Sequence, residues 1–152
     1  MSGLYLEDYT VGRIIETEPV RLDADEIIWF AELHDPQTFH TDPEAAKDSA
    51  FCEHVASGFQ TVAIATGQFI RTGAVDGTGL GGPGLDKVRW TAPVRPGETL
   101  STRVEVVAAR ASKSDPSRGV VTLGFAVETE AGPVLTFEAT VFVRSRAGAT
   151  AA

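Results

Sequence analysis

From Leu85 to Ser145 apolar residues recur in β-branched and aromatic blocks separated by turn signals. The blocks are LDKVRWTAPV (85–94), TLSTRVEVVAARAS (99–112), GVVTLGFAVETE (119–130) and GPVLTFEATVFVRS (132–145). RPGE, SDPSRG and EAG lie between them. Val, Ile, Thr and aromatic side chains suit a pleated, half-buried surface, and Gly, Pro and Asp suit turns. The pattern predicts four strands of an antiparallel meander.

The first half of the chain has a different rhythm. GRIIETEPVRL (12–22) alternates weakly and reads as a strand or extended arm. Pro19 has no N–H to give a ladder, so this strand belongs at an edge or carries a bulge. DADEIIWFAELH (23–34) predicts a helix, with Asp23 as N-cap and Glu26 where a capping-box acid belongs. DPEAAKDSA (42–50) predicts a short helix, with Asp42 as cap and Pro43 at its first position. VASGFQTVAIATGQFIRTG (55–73) carries apolar and small residues on nearly every face until Arg71. That distribution predicts a helix buried all round, closed by Gly73. The tail RAGATAA has nothing to bury and is expected to be loose. One domain over 1–146 with a tail at 147–152 follows. Periodicity alone gives an α+β class and no more.

At 152 residues the chain is long enough for one domain with a real core. Hydrophobic content of 43% and charged content of 22% are those of an ordinary soluble globular protein. No apolar run approaches the roughly 18 residues of a membrane helix. The start, MSGLYLEDYTVG, has neither a basic segment nor an apolar one, so a signal peptide is not expected and a cytoplasmic location is. A single cysteine excludes an internal disulfide framework. The formal net charge of −8 argues against nucleic acid as partner. It leaves room for an anionic small ligand, which needs only a local cation cluster or a helix N-terminus.

The chemistry concentrates in DPQTFHTDPEAA (35–46). Asp35 and His40 are five residues apart between two predicted helices. Pro36 supplies no N–H and disfavours helical backbone at Asp35, so the chain must turn there. Such a turn can bring both side chains to one point. A carboxylate and an imidazole sharing one water can act as general base and general acid. The alternative is an Asx-type turn with an exposed histidine, and the residues alone leave both readings open.

Other signals point less far. GTGLGG (77–82) spells a dinucleotide fingerprint but follows a helix and precedes a strand, the reverse of what that motif requires. It reads as a flexible loop near the site mouth. All three histidines, His34, His40 and His54, lie near Asp35 and Asp42, but their spacing matches no ligand signature, and no metal is expected. Cys52 is expected to be a small buried hydrophobe. Ser57 lacks the G-x-S-x-G setting of a nucleophile, so a helix-cap or ligand-contact role is expected. Trp29, Phe30, Phe59 and Phe69 are expected in the core.

DPQTFHTDPEAA followed by VASGFQT resembles the MaoC-like dehydratases, the family of (R)-specific enoyl-CoA hydratases. The family motif has the form D-x-N-P-x-H-x-D, followed by a small-residue-His-Gly step into a central helix. APVRPGETL (92–100) is similar to the family's strand-turn-strand after that helix. The resemblance implies a hot-dog fold, an antiparallel sheet wrapped around a central helix. It implies that Asp35 and His40 form the catalytic dyad and that the Gly58 amide, beside Ser57, is an oxyanion donor contacting substrate. Asp42 matches the trailing acid, for which a capping role is expected. Gln37 stands where the motif has Asn, Thr38 where it has Pro, and Ser57 where His is common.

On this resemblance the substrate is an acyl-CoA, an enoyl thioester, with coenzyme A entering as part of the substrate and no separate cofactor. Arg89, Arg95, Arg110 and Lys113 are candidates for its phosphates, each weighed against plain solvated charge. The reaction is hydration to an (R)-3-hydroxyacyl thioester or its reverse, in a tunnel between subunits of a homodimer or higher assembly. No membrane and no nucleic acid enter. The alternatives are a hot-dog thioesterase and a non-catalytic acyl-thioester-binding subunit.

Overall fold

The computed structural model describes residues 3–149. The long strands are β4 (Thr99–Ala111), β5 (Arg118–Thr129) and β6 (Gly132–Arg144). They pair antiparallel through the two turns, as their patterning predicts. In β5 the side chains of Val121, Leu123, Phe125 and Val127 are all buried while their neighbours are not. That is the two-residue period of a strand with one face on the core.

β3 (Gly84–Trp90) departs from the expected meander. It pairs with β6, not with its successor β4, and with β1 at Ile14–Glu16 the sheet order is β1-β4-β5-β6-β3. Only three of the four strands are therefore sequential neighbours. Side-chain pattern marks which residues are strand; it does not select the partner, which depends on where residues 91–98 carry the chain. Thr91 N donates to Val134 O, Gly97 N to Leu22 O, and Leu22 N to Glu98 O, taking the chain across to the opposite edge.

The arm at 12–22 is not one strand. It splits into β1 (Ile14–Glu16) and β2 (Val20–Arg21), both on β4. Pro19 explains the gap, and side chains fill it. Thr17 Oγ1 donates to Thr102 O, and the buried Gln68 amide donates to Glu18 O and Leu100 O while accepting from Thr102 Oγ1.

α1 (Ala24–His34) begins as expected, with the Glu26 carboxylate accepting from Asp23 N at 3.1 Å. The helix expected at 42–50 is shorter, α3 (Pro43–Ala46), and is preceded by an unforeseen turn, α2 (Thr38–Thr41). Asp42 does cap α3, accepting from Glu44 N and Ala45 N.

α4 (Gly58–Arg71) lies against the concave face of the sheet. Ala65 and Phe69 enter the core, and Phe69 meets Phe125 edge-on at 5.8 Å, with Phe125 stacked on Phe137 at 4.3 Å. An antiparallel sheet wrapped on one helix is the hot-dog fold. Within one chain, however, α4 is not buried all round. Phe59, Ala63, Thr66 and Ile70 form an exposed stripe at helical spacing.

Several local expectations are corrected. Phe69 is core and Phe30 half-buried, but Trp29 and Phe59 are 64% and 63% exposed. Apolar character does not say which side of a helix meets its own sheet. Cys52 is exposed, in a turn with φ of 57°. Residues 77–82 are not a loose loop at the mouth of a site. Leu80 N donates to Phe142 O, Phe142 N to Gly81 O, and Arg144 N to Thr78 O. A side chain at Gly82 would collide with Thr140 O, so glycine permits this close approach. The segment continues the β6 edge and lines a separate apolar cavity of about 340 Å³ beside the C-terminal half of α4. At the chain end, α5 (Arg146–Ala149) forms one turn, and Arg146 makes a two-pronged ion pair with Asp8. The remainder of the expected tail lies outside the described residues. Among the described residues, no helix is long and apolar enough to cross a membrane.

Candidate active site

α1 stops at His34 because Pro36 cannot donate and restricts Asp35. Asp35 becomes the C-cap, with its N–H still bonded to Ala31 O at 2.9 Å. Gln37 N then donates to Asp35 O and His40 N to Gln37 O, closing α2. This tight turn brings the two side chains together: His40 Nε2 lies 3.3 Å from Asp35 Oδ2. His40 is 5% exposed, so the solvated-turn reading with an exposed imidazole fails.

The orientation of His40 is set from behind. Its Nδ1 lies 2.7 Å from Val55 O. A carbonyl can only accept, so Nδ1 carries a proton and Nε2 is the nitrogen whose proton can come and go. Val55 N donates to Phe39 O, and His54 Nε2 donates to His40 O at 2.7 Å. His54 thus clasps the backbone that carries His40. Sequence reasoning did not give it this role.

Asp35 is held by two further donors. Ser57 Oγ donates to Oδ2 at 2.7 Å and Gln37 Nε2 to Oδ1 at 2.8 Å. Burial by itself pushes the carboxyl up and is the largest single influence. The hydrogen bonds from Ser57 and Gln37 and the charge of His40 together outweigh it, leaving Asp35 below its ordinary value. Both Gln37 and Ser57 are positions that depart from the family motif, and both bond the carboxylate. Gln37 was missed as a site residue; its place beside Asp35 in the motif was the available signal.

Ser57 is also the N-cap of α4, accepting from Phe59 N at 3.2 Å. Gly58 is the first helical residue, where N–H groups lack intrahelical partners. Its carbonyl accepts from Trp90 Nε1 at 2.9 Å. Trp90 was not anticipated in the site, and nothing in the local sequence pointed to it.

Asp35, His40 and Gly58 line one cavity of about 530 Å³, together with Phe39, Val55 and Trp90. Its walls are mostly apolar with a few convergent polar groups, the pattern of a small-molecule site. Arg89, Arg95, Arg110 and Lys113 are not among its lining residues. Arg95 instead pairs with Glu53 at 2.7 Å.

Residues 8–129 match the family described as MaoC like domain. The chain is 31% identical over 110 residues to the uncharacterized protein YdeM of Bacillus subtilis, covering 72% of this chain and 78% of that one. The MaoC-like dehydratase of Rhodospirillum rubrum superposes with a TM-score of 0.87 at 36% identity, over 95% of this chain and 99% of that one. The (R)-hydratase of A. caviae involved in PHA biosynthesis superposes with a TM-score of 0.70 at 26% identity, over 87% and 95%. A turn-borne Asp35–His40 pair opposite the start of a sheet-wrapped helix, and the matched span of 8–129, lead to one conclusion: the chain belongs to the MaoC-like domain family of hot-dog dehydratases.

Proposed function

We propose that the protein adds water across the double bond of a trans-2-enoyl thioester, giving an (R)-3-hydroxyacyl thioester, or runs the reverse. The observation that carries this reading is the 3.3 Å approach of His40 Nε2 to Asp35 Oδ2 at the wall of a mainly apolar cavity. An acyl chain suits the apolar walls, and the polar pair suits one water. The likeness to the (R)-hydratase of A. caviae supports the stereochemical assignment.

The water sits beside the pair, within reach of both Asp35 and His40. Its oxygen attacks Cβ as its proton passes to the pair. The π electrons move toward the thioester, whose oxygen becomes enolate-like, and a proton carried on His40 Nε2 is delivered to Cα. The Gly58 N–H, at the positive end of α4, stabilises the developing oxyanion. One such donor contributes about 3–4 kcal/mol to the transition state. Coenzyme A is part of the substrate, and no separate cofactor is needed for this chemistry.

The functional unit is a homodimer. The exposed stripe of α4, from Phe59 to Ile70, adjoins β3, which ends the sheet and exposes Leu85 and Trp90. An unpaired edge beside an apolar face invites a second copy. Incubation with crotonyl-CoA tests the reaction. Loss of enoyl absorbance supports hydration; release of free thiol favours a thioesterase; neither outcome leaves a binding subunit.

A further inference from the structure

Ser57 carries one hydroxyl between two parts of the site. Its oxygen accepts from Phe59 N in the first turn of α4. Its hydrogen is therefore free for another acceptor, and Asp35 Oδ2 lies 2.7 Å away. Ser57 is wholly buried, so its hydroxyl has no solvent of its own to turn to. A bond from a hydroxyl to an ionised carboxylate is of the stronger, charge-assisted kind.

Left alone, a carboxylate on a short side chain turns readily about its last torsion. Here Gln37 Nε2 holds Oδ1 and Ser57 Oγ holds Oδ2. With both oxygens held, one arrangement remains, and in it Oδ2 faces His40 Nε2. We infer that Ser57 is a positioning residue: its hydroxyl locks the Asp35 carboxylate to the first turn of α4 and so fixes the distance between the acid–base pair and the helix start that faces it. Gln37 completes the lock from the other side. Ser57 thus acts through Asp35 and not on the substrate. The titratable group facing Asp35 is His40, with His54 bonded to the His40 backbone behind it.

The kinetic side of this inference rests on the hydratase reading; the electrostatic side does not. Ser57→Gly is the useful variant, because glycine caps a helix nearly as well as serine but has no hydroxyl. Ser57→Ala removes hydroxyl and cap together, and Gln37→Met removes only the exposed donor. The Asp35 carboxyl is titrated by carbon NMR in each intact protein, and the pH profile of crotonyl-CoA hydration is recorded beside it.

Losing a donor to the charged form raises the carboxyl's proton affinity. In Ser57→Gly the Asp35 titration moves to higher pH, the acid limb of kcat moves with it, and kcat falls by up to about 100-fold through misplacement. Gln37→Met moves the titration in the same direction with an unchanged melting temperature. A Ser57→Gly protein that is folded and titrates Asp35 as the wild type does would overturn the inference, leaving Ser57 a helix cap. Wild-type protein inert toward crotonyl-CoA but showing the NMR shift would sink the hydratase reading alone.

Discussion

Trp90 Nε1 donates to Gly58 O at 2.9 Å, and the indole lies where a Gly58 side chain would begin. A Cβ on Gly58 would stand 2.5 Å from that nitrogen and 2.6 Å from the adjacent ring carbon. The glycine is therefore required by Trp90 as well as by any ligand at the helix start. Gly58→Ala should displace the indole, shift Trp90 fluorescence in a Trp29→Phe background, and abolish hydration. Adding Trp90→Ala relieves the collision. If that double variant regains wild-type melting but not turnover, the helix start has a role of its own; if it regains both, Gly58 matters only for packing.

Removing either member of the dyad should cost activity without the fold. Asp35→Asn and His40→Ala each lose about 10²–10⁴-fold in kcat, the usual contribution of a general acid or base. Circular dichroism should stay native in Asp35→Asn. A folded His40→Ala protein that hydrates crotonyl-CoA at the wild-type rate would remove His40 from the chemistry.

Asp35 also ties stability to pH. Its carboxyl lies below the ordinary value in the folded chain, and the unfolded value is about 3.9. A depressed folded-state pKa contributes stability that is complete above the unfolded pKa and is lost as pH falls through the folded one. Urea midpoints measured from pH 6 downward should therefore fall more steeply below about pH 4 for the wild type than for Asp35→Asn. Every other depressed carboxylate is common to both proteins and cancels. Parallel curves would contradict the assignment.

The exposed stripe of α4 predicts assembly. Light scattering should report a dimer, and Ile70→Glu, far along α4 from the dyad, should shift it toward monomer and lower turnover with it. A charge in an apolar interface is left without a partner. A stable wild-type monomer at micromolar concentration would remove the shared face.

The core should answer in the ordinary way. Phe125 packs between Phe69 and Phe137, joining α4 to the sheet. Phe125→Ala should cost about 3–5 kcal/mol by denaturant unfolding. A loss below about 1 kcal/mol would mean that the aromatic stack contributes little to the fold.

Much of this molecule was legible in one dimension. Strand content followed from β-branched and aromatic blocks between turn signals, and the period-two burial of Val121, Leu123, Phe125 and Val127 agrees with it. The Asp42 cap and the Asp23–Glu26 start of α1 are local chemistry, complete within four residues. The turn at Pro36 was legible for the same reason, but the residues alone left open whether it brings Asp35 and His40 together; only the resemblance pointed to that pair. These features depend on neighbours along the chain, which the sequence states directly.

What tertiary structure alone decided are contacts between distant segments. The pairing of β3 with β6 depends on the path of residues 91–98, not on the pattern of either strand. Trp29 and Phe59 are as apolar as Phe69, yet only Phe69 faces the sheet of its own chain. The His40 tautomer is set by Val55 O, fifteen residues away, and the Asp35 carboxylate is held by Ser57, twenty-two away. The family resemblance pointed to Asp35 and His40, and one tight turn joins them. The folded chain fixed their protons and orientation, because hydrogen bonds are made to whatever arrives within 3 Å and not to what is adjacent in sequence.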